Sequence, residues 1–353
     1  MTMKSFLALC GAAVLAVILA VVAVGSQPSY ESADAGGELL FPKLVTDINR
    51  LKTVVVTSKD SKYTMDWDGQ VWRFRERGNY LADDKKVNEL VLRMARMAKL
   101  EAKTNLEARY ERLDLNAPDA KDSRAKQVTL LDKDGKPIAD IIIGKRKFTL
   151  GSKEGGTYIR IPGEPQTWLA LGELTPGDKA RDWLKRDVAD IKDKQIKRVT
   201  IRQPDGEKVV VSKDKPADES FKIQGIPSGR EPSTDFVADE FGRVLAILLL
   251  DDVAKAADLA IPPNKTIKAE FEGFDGFKVL VDYAEVDGKS WIKLRGEATA
   301  PSAPLAEGAT DWVKAMAELT SRADGWVFEV PAYEVAPLKK RMADITKKPE
   351  AKS

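Results

Sequence analysis

The sequence predicts an α+β protein: an N-terminal transmembrane helix followed by two tandem copies of a strand-rich unit with packed helices. Three observations predict it. An uncharged apolar run fills Phe6 to Val24, β-branched runs alternate with polar turns through the remainder, and five such segments recur in the same order further along the chain. The opening pair, Leu51 to Trp67 and Ile196 to Lys213, is offset by 196 minus 51, or 145 residues.

The first element is the membrane anchor, 1–25. At 1.5 Å of helical rise per residue, its apolar run approaches the roughly 30 Å hydrocarbon core of a bilayer. Lys4 precedes the run, while Glu31, Asp34 and Glu38 follow it before the next cation, Lys43. The basic end belongs in the cytoplasm, so the expected location is the inner (cytoplasmic) membrane, single-pass, with a periplasmic body. A cleaved signal peptide is the competing reading, with the small residues Ala23 and Gly25 before Ser26. The apolar run exceeds the roughly 7–15 residues usual for a signal. A lipoprotein fits less well, because Leu9 stands before Cys10 where a small residue is expected.

Residues 26–43 read as a polar spacer, and the first repeat is expected over 44–191. Its strands begin with LKTVVVT, followed by a polar turn. Asp83 or Asp84 caps a helix with Val87, Leu90, Val91, Met94 and Met97 on one face. Such a stripe is core in most helices, not a ligand box. VTLLDKDGKPIADIII is a hairpin signal with Asp-Gly at its turn, and a closing helix is expected at Pro176 after Thr175.

The second repeat, 194–345, repeats the pattern. Ser233 or Thr234 precedes a helical stripe of Val237, Phe241, Val244, Leu245 and Leu248, and IKAEFEGFDGFKVLVDY is the matching hairpin. Its closing helix opens at Pro337 after Ala336, and an insertion adds an amphipathic helix with Trp312, Ala315, Met316 and Leu319 on one side. The boundary IKDKQIK is too short for free swinging, so the copies are expected to pack together or share a sheet. The last stretch, 346–353, reads as a solvated tail.

Composition limits the chemistry. With 353 residues the chain can hold two domains, and 43% hydrophobic with 32% charged residues is a globular composition. Its 57 basic and 55 acidic residues leave +2, no general footprint for nucleic acid. Histidine is absent, which removes the usual proton shuttle near neutral pH and the commonest metal ligand. Cys10 is the single cysteine, so neither an internal disulfide nor a cysteine zinc site arises. No catalytic, cofactor-binding or metal residue is assigned, and no cofactor is expected.

The motifs that come nearest to chemistry have plainer accounts. GKS at Gly288 to Ser290 lacks the earlier glycine of a phosphate loop, since Tyr283 stands there. Ser123 with Lys126, and Ser212 with Lys215, have a nucleophile-like spacing that a lysine-rich chain produces by chance. Asp66 with Asp68, and Asp132 with Asp134, offer carboxylate pairs without the continuation of a calcium loop; turn formation accounts for them. Trp67, Trp72, Trp168, Trp183, Trp291, Trp312 and Trp326 read as core anchors before they read as a groove.

The stretches IIIGKRKFTLGSKEGGTYIRIPGEPQTWLA (141–170), ARDWLKRDVADIKDKQIKRVTI (180–201) and, before them, WDGQVWRF resemble the bacterial domain of unknown function 4340. The resemblance spans most of the chain beyond the anchor. It implies one N-terminal membrane helix, an exported body, and association with ABC-type export systems of the gliding-motility kind as an auxiliary component. It supplies no catalytic residue. The expected function is therefore a membrane-anchored extracytoplasmic accessory or scaffold protein whose partners are the membrane and an ABC permease or its exported companion. A cell-envelope polymer hydrolase using carboxylates, and a glycan- or peptide-binding module, are the alternatives. Convergent carboxylates in a cleft favour the first, and an aromatic-lined groove favours the second.

Overall fold

LKTVVVT forms strand β1 (Leu51–Thr57) because its β-branched residues suit a pleated surface buried on one side: Val54 and Val56 are 0% and 2% exposed. The computed structural model describes residues 37–148, 150, 155–300 and 308–349. Around β1, a nine-stranded antiparallel sheet adds β2 (Lys62–Trp67), β3 (Trp72–Phe74), β4 (Tyr80–Leu81), β5 (Ala98–Ala102), β6 (Lys126–Asp132), β7 (Pro137–Lys147), β8 (Gly156–Arg160) and β9 (Thr167–Leu171). Their spatial order is β4-β3-β2-β1-β6-β7-β8-β9-β5. Gly135, at φ +74°, closes the β6–β7 turn, a conformation that glycine adopts without steric cost.

The first sheet is joined to the second by β10 (Asp187–Ala189). The second contains β11 (Ile196–Arg202), β12 (Lys208–Ser212), β13 (Lys222–Ile223), β16 (Asp252–Lys255), β17 (Ile267–Gly273), β18 (Phe277–Val286), β19 (Lys289–Ala298) and β20 (Trp326–Val330). Its order is β13-β12-β11-β17-β18-β19-β20-β16. The run β2-β1-β6-β7-β8-β9-β5 and the run β12-β11-β17-β18-β19-β20-β16 have the same connections. Even the irregularities coincide: β1 against β6 shifts register between Leu51 and Thr53, and β11 against β17 between Ile196 and Arg198. In the β18–β19 hairpin, Asp287 at φ +51° and Gly288 at φ +73° form the left-handed pair that a two-residue turn requires.

The α+β class is corrected. Strands hold 38% of the described residues and helices 21%, so the protein is mainly antiparallel β, and no described helix is long and apolar enough to cross a membrane. The expected transmembrane helix, 1–25, and spacer residues 26–36 lie outside the described residues. What remains of the spacer belongs to the body: Leu39 bridges Ala98, and Leu40, 5% exposed, donates its N–H to the Met97 carbonyl. At the other end, β21 (Thr346–Lys347) pairs with β14 (Glu231–Pro232), so the expected tail begins inside the fold.

Among the described residues only two α-helices exceed two turns. Asp83 caps the helix Asp84–Arg96 by accepting the N–H groups of Lys85 and Lys86, and Val87, Leu90, Val91 and Met94 are buried. Asp311 caps Trp312–Ala323, which buries Trp312, Met316 and Leu319; the Trp312 ring stacks on Phe277 at 3.8 Å. The helix expected through Val237 to Leu248 is regular only over Asp239–Gly242. Its apolar positions are all buried, yet Gly242 lies so close to Phe221 that a Cβ would come within 2.4 Å of the ring. Ile247 then turns left-handed at φ +58°, and Leu248 starts β15 (Leu248–Leu249). The first closing helix is also corrected: Pro176 lies in a loop whose carbonyl accepts from Lys126, and only a 3-10 turn, Ala180–Asp182, follows. Pro337 sits in the first turn of the four-residue helix Ala336–Lys339.

The described residues from Leu39 onward form one compact unit holding both sheets, and a single apolar cluster runs from Val54, Met94 and Ile141 to Phe241, Phe271 and Leu338. Each fully buried aliphatic or phenylalanine side chain stabilises by roughly 1.5–3 kcal/mol. Across the joint, β10 pairs with β15, and Tyr80 meets Trp326 and Phe328 edge-on at 5.0 and 5.8 Å.

Candidate functional site

Strand alternation gives each sheet an apolar inner face and an outer face, and the shared register makes the outer faces comparable position by position. On the first sheet, one row crosses five strands: Lys62, Thr57, Gln127, Ile142 and Arg160. On the second, the corresponding row is Lys208, Arg202, Lys268, Asp282 and Lys293.

The first row is roofed where it reaches β7 and β8. The β5–β6 connection carries a 3-10 helix, Glu107–Leu113, and packs Tyr110, Leu115 and Ala125 onto Ile142, which is 3% exposed. Arg160 holds the roof, its guanidinium lying 4.7 Å over the Tyr110 ring and its Nε donating to the Leu115 carbonyl at 3.3 Å. The Tyr110 hydroxyl donates to the Pro165 carbonyl at 2.6 Å. Contact is close enough that a Cβ on Gly144 would stand 2.1 Å from the Leu113 carbonyl oxygen.

The second row has no such roof among the described residues. The β16–β17 connection, 256–266, is about half as long as its counterpart, 103–125. Lys208, Arg202, Lys268 and Lys293 are exposed, and none of them has a hydrogen bond or ion pair among the described residues. Arg202 stands directly opposite both Lys208 and Lys268, an arrangement of like charges that destabilises a sheet. A shallow concavity of about 410 Å³ lies here, bordered by Arg202, Lys268, Asp282, Lys293, Leu280 and Arg295. The neighbouring charges are committed: Lys278 pairs with Glu270 at 2.6 Å, and Arg295 with Glu297 at 2.6 Å.

The carboxylates singled out in the sequence serve structure. Asp68 accepts the N–H groups of Gln70 and Val71 and pairs with Arg73; chiefly through the Val71 N–H, its carboxyl is held down at about 2. Asp66 binds Thr53 and Arg75. Asp132 accepts from the Lys136 and Asp134 N–H groups and from Arg50, and the first of these leads in lowering its pKa. Asp134 pairs with its neighbour Lys133. Other carboxylates join the two halves: Asp252 takes a two-pronged contact from Arg77 at 2.5 and 2.9 Å, and Asp251 receives Arg181 and Arg186. Among the described residues no three His, Cys, Asp or Glu side chains converge as metal ligands.

The remaining motifs are dispersed. Ser123 accepts the Ala125 N–H while Lys126 turns to Pro176 and Asp178; Ser212 accepts from Gln224 while Lys215 lies in an exposed turn. Of Gly288 to Ser290, the glycine closes the β18–β19 turn and the other two begin β19. Trp72, Trp183, Trp291 and Trp312 are buried, and Trp67, Trp168 and Trp326 half-buried, in different parts of the fold. Tyr80 has a buried hydroxyl without a hydrogen-bond partner among the described residues, and burial pushes its pKa up to about 12.

Sequence reading missed the cationic row, because its members come from five separate segments. The signal that reveals it is the comparison of copies: Thr57 against Arg202, Gln127 against Lys268 and Ile142 against Asp282 are positions uncharged in the first copy and charged in the second.

A family model described as Domain of unknown function (DUF4340) matches residues 72–261, more than half of the chain. No curated protein and no solved structure matches it.

Proposed function

The chain belongs to the DUF4340 family of unknown function, and from that premise we propose that it is a membrane-anchored accessory or scaffold protein acting through its surfaces. The single observation that carries the reading is the open outer face of the second sheet, built on the same register as a face that the first sheet covers with its own chain. A protein that leaves uncommitted like charges side by side sacrifices some stability, and such local conflicts concentrate at functional surfaces. The apolar segment Phe6 to Val24 supports tethering, with the body on the extracytoplasmic side. Tethering confines the body near the bilayer and raises its effective concentration there, so a weak interface suffices.

An ABC-type permease, or its exported companion, is the partner that the sequence resemblance implies. The hydrolase alternative has less support, since the carboxylate pairs singled out in the sequence, Asp66 with Asp68 and Asp132 with Asp134, are engaged in turns and ion pairs. The test is recovery of the full-length protein in mild detergent. Co-purification of a multi-pass permease or its companion is expected. Recovery of neither, together with cleavage of envelope polymer that one Asp or Glu substitution abolishes, overturns the reading.

A further inference from the structure

In the row Lys208, Arg202, Lys268, Asp282 and Lys293, the last two stand where the roof segment 103–125 covers Ile142 and Arg160 on the first sheet, and the first three continue the line in the open. We propose that an acidic protein segment of the partner docks across this row and completes the second sheet as the chain completes the first. This inference rests on the accessory reading and names the chemistry of its partner.

Charge identifies the occupant. Five neighbouring strands, spaced about 4.8 Å apart, present four cations and one anion in a line, none engaged by another described residue. Desolvating these cations without carboxylates opposite them is unfavourable, so an apolar or basic segment is repelled. The geometry of the first sheet indicates how the contact is built. There Arg160 anchors the roof by stacking on an aromatic ring and donating to a main-chain carbonyl. Lys293 holds the corresponding position on β19, and Leu280, in the adjacent row, supplies apolar surface beside it. A segment with carboxylates for Lys208, Arg202 and Lys268 and an apolar or aromatic residue over Leu280 matches this pattern.

The same face argues against an anionic membrane as occupant. In the next two rows Glu270, Glu272 and Glu297 stand among Arg295, Arg198 and Lys278, so charge cancels there and the net positive charge is confined to one row, the footprint of a chain segment and not of a broad lipid surface. A chain segment confined to one row avoids these carboxylates.

The experiment measures binding of fluorescein-labelled poly-L-glutamate, about 20 residues long, to the full-length protein in nonionic detergent, by anisotropy and at several salt concentrations. Lys268→Glu places an anion between Arg202 and Asp282 and is expected to weaken binding at least fivefold. Lys62→Glu makes the same change of charge on the corresponding row of the first sheet and is expected to weaken it less than twofold. Equal loss in both variants overturns the inference, as does binding to vesicles containing phosphatidylglycerol without binding to poly-L-glutamate. Detergent pull-down separates the two levels of the argument. If Lys268→Glu protein recovers the permease complex as wild type does, the row is not the docking site and the accessory reading stands. If wild type recovers no complex, that reading itself fails.

Discussion

The outer faces of the two sheets share register and differ in what lies over them. On the first, Ile142 is sealed beneath Tyr110 and Leu115, and Arg160 is spent on holding the seal. On the second, Asp282 and Lys293 occupy the corresponding positions in the open, beside cations facing one another. The difference shows that a sheet scaffold with one connection order supports either a finished surface or an unfinished one. Which it becomes depends on one connection and a few outward-facing side chains.

The largest effect expected from breaking this comparison is in the roof. Leu115 is 0% exposed, so Leu115→Ala is expected to cost about 2–5 kcal/mol. Leu280→Ala, on the half-buried counterpart face, is expected to cost less than about 1 kcal/mol. Urea unfolding of both variants checks the asymmetry, and equal losses contradict the roofed-versus-open distinction.

The close approach over β7 gives the next effect. Gly144→Ala forces a Cβ against the Leu113 carbonyl and is expected to cost about 1–3 kcal/mol, with loosened hydrogen-exchange protection over 107–115. The corresponding residue of β18 is Ala284, buried beside Trp291, so the register itself accepts a methyl group where no main-chain carbonyl approaches as closely as that of Leu113. Wild-type stability in Gly144→Ala is the outcome that contradicts this contact.

A smaller effect is expected from the cationic row. Replacing Arg202 by glutamate removes like-charge opposition to both Lys208 and Lys268, so Arg202→Glu is expected to raise stability by about 0.2–1 kcal/mol at low salt. The gain fades as salt is added, because exposed charges are screened. Lys62→Glu, opposite uncharged Thr57, is expected to change little. Denaturation midpoints at two ionic strengths distinguish these outcomes.

The smallest effect sharpens the contrast between engaged and open charge. Asp68 titrates at about 2 in the fold against an ordinary 3.8, so its ionised form favours the native state. That contribution is present above the ordinary value and is lost as pH falls from about 5 toward 2. Stability of the wild type should therefore fall through this window, and Asp68→Asn, which keeps an acceptor for the turn, should show a shallower slope. Parallel slopes would exclude Asp68 as a contributor.

Much of the fold was legible in the sequence, for a physical reason visible in particular residues. Val54 and Val56 face inward because strand alternation is a local property, the Asp83 cap and the stripe Val87, Leu90, Val91 and Met94 mark their helix for the same reason, and Gly135 marks a turn by its freedom at positive φ. The stripe Val237 to Leu248 also announced burial truthfully, but burial does not require a helix; the close packing of the Phe221 ring over Gly242 is a contact between separate segments, and it appears in no local pattern.

By itself the sequence determined the hairpins around Asp134-Gly135 and Asp275-Gly276, the capped helix after Asp83, which family the chain belongs to, and that histidine chemistry is absent. Only the tertiary structure decided that the second half breaks its helix, that residues 103–125 roof one sheet, and that Lys208, Arg202, Lys268, Asp282 and Lys293 line up on the other. Periodicity within a strand fixes which side a residue faces, but the neighbour it faces across the sheet is set by pairing between segments far apart in the chain. The cationic row is a product of that pairing alone.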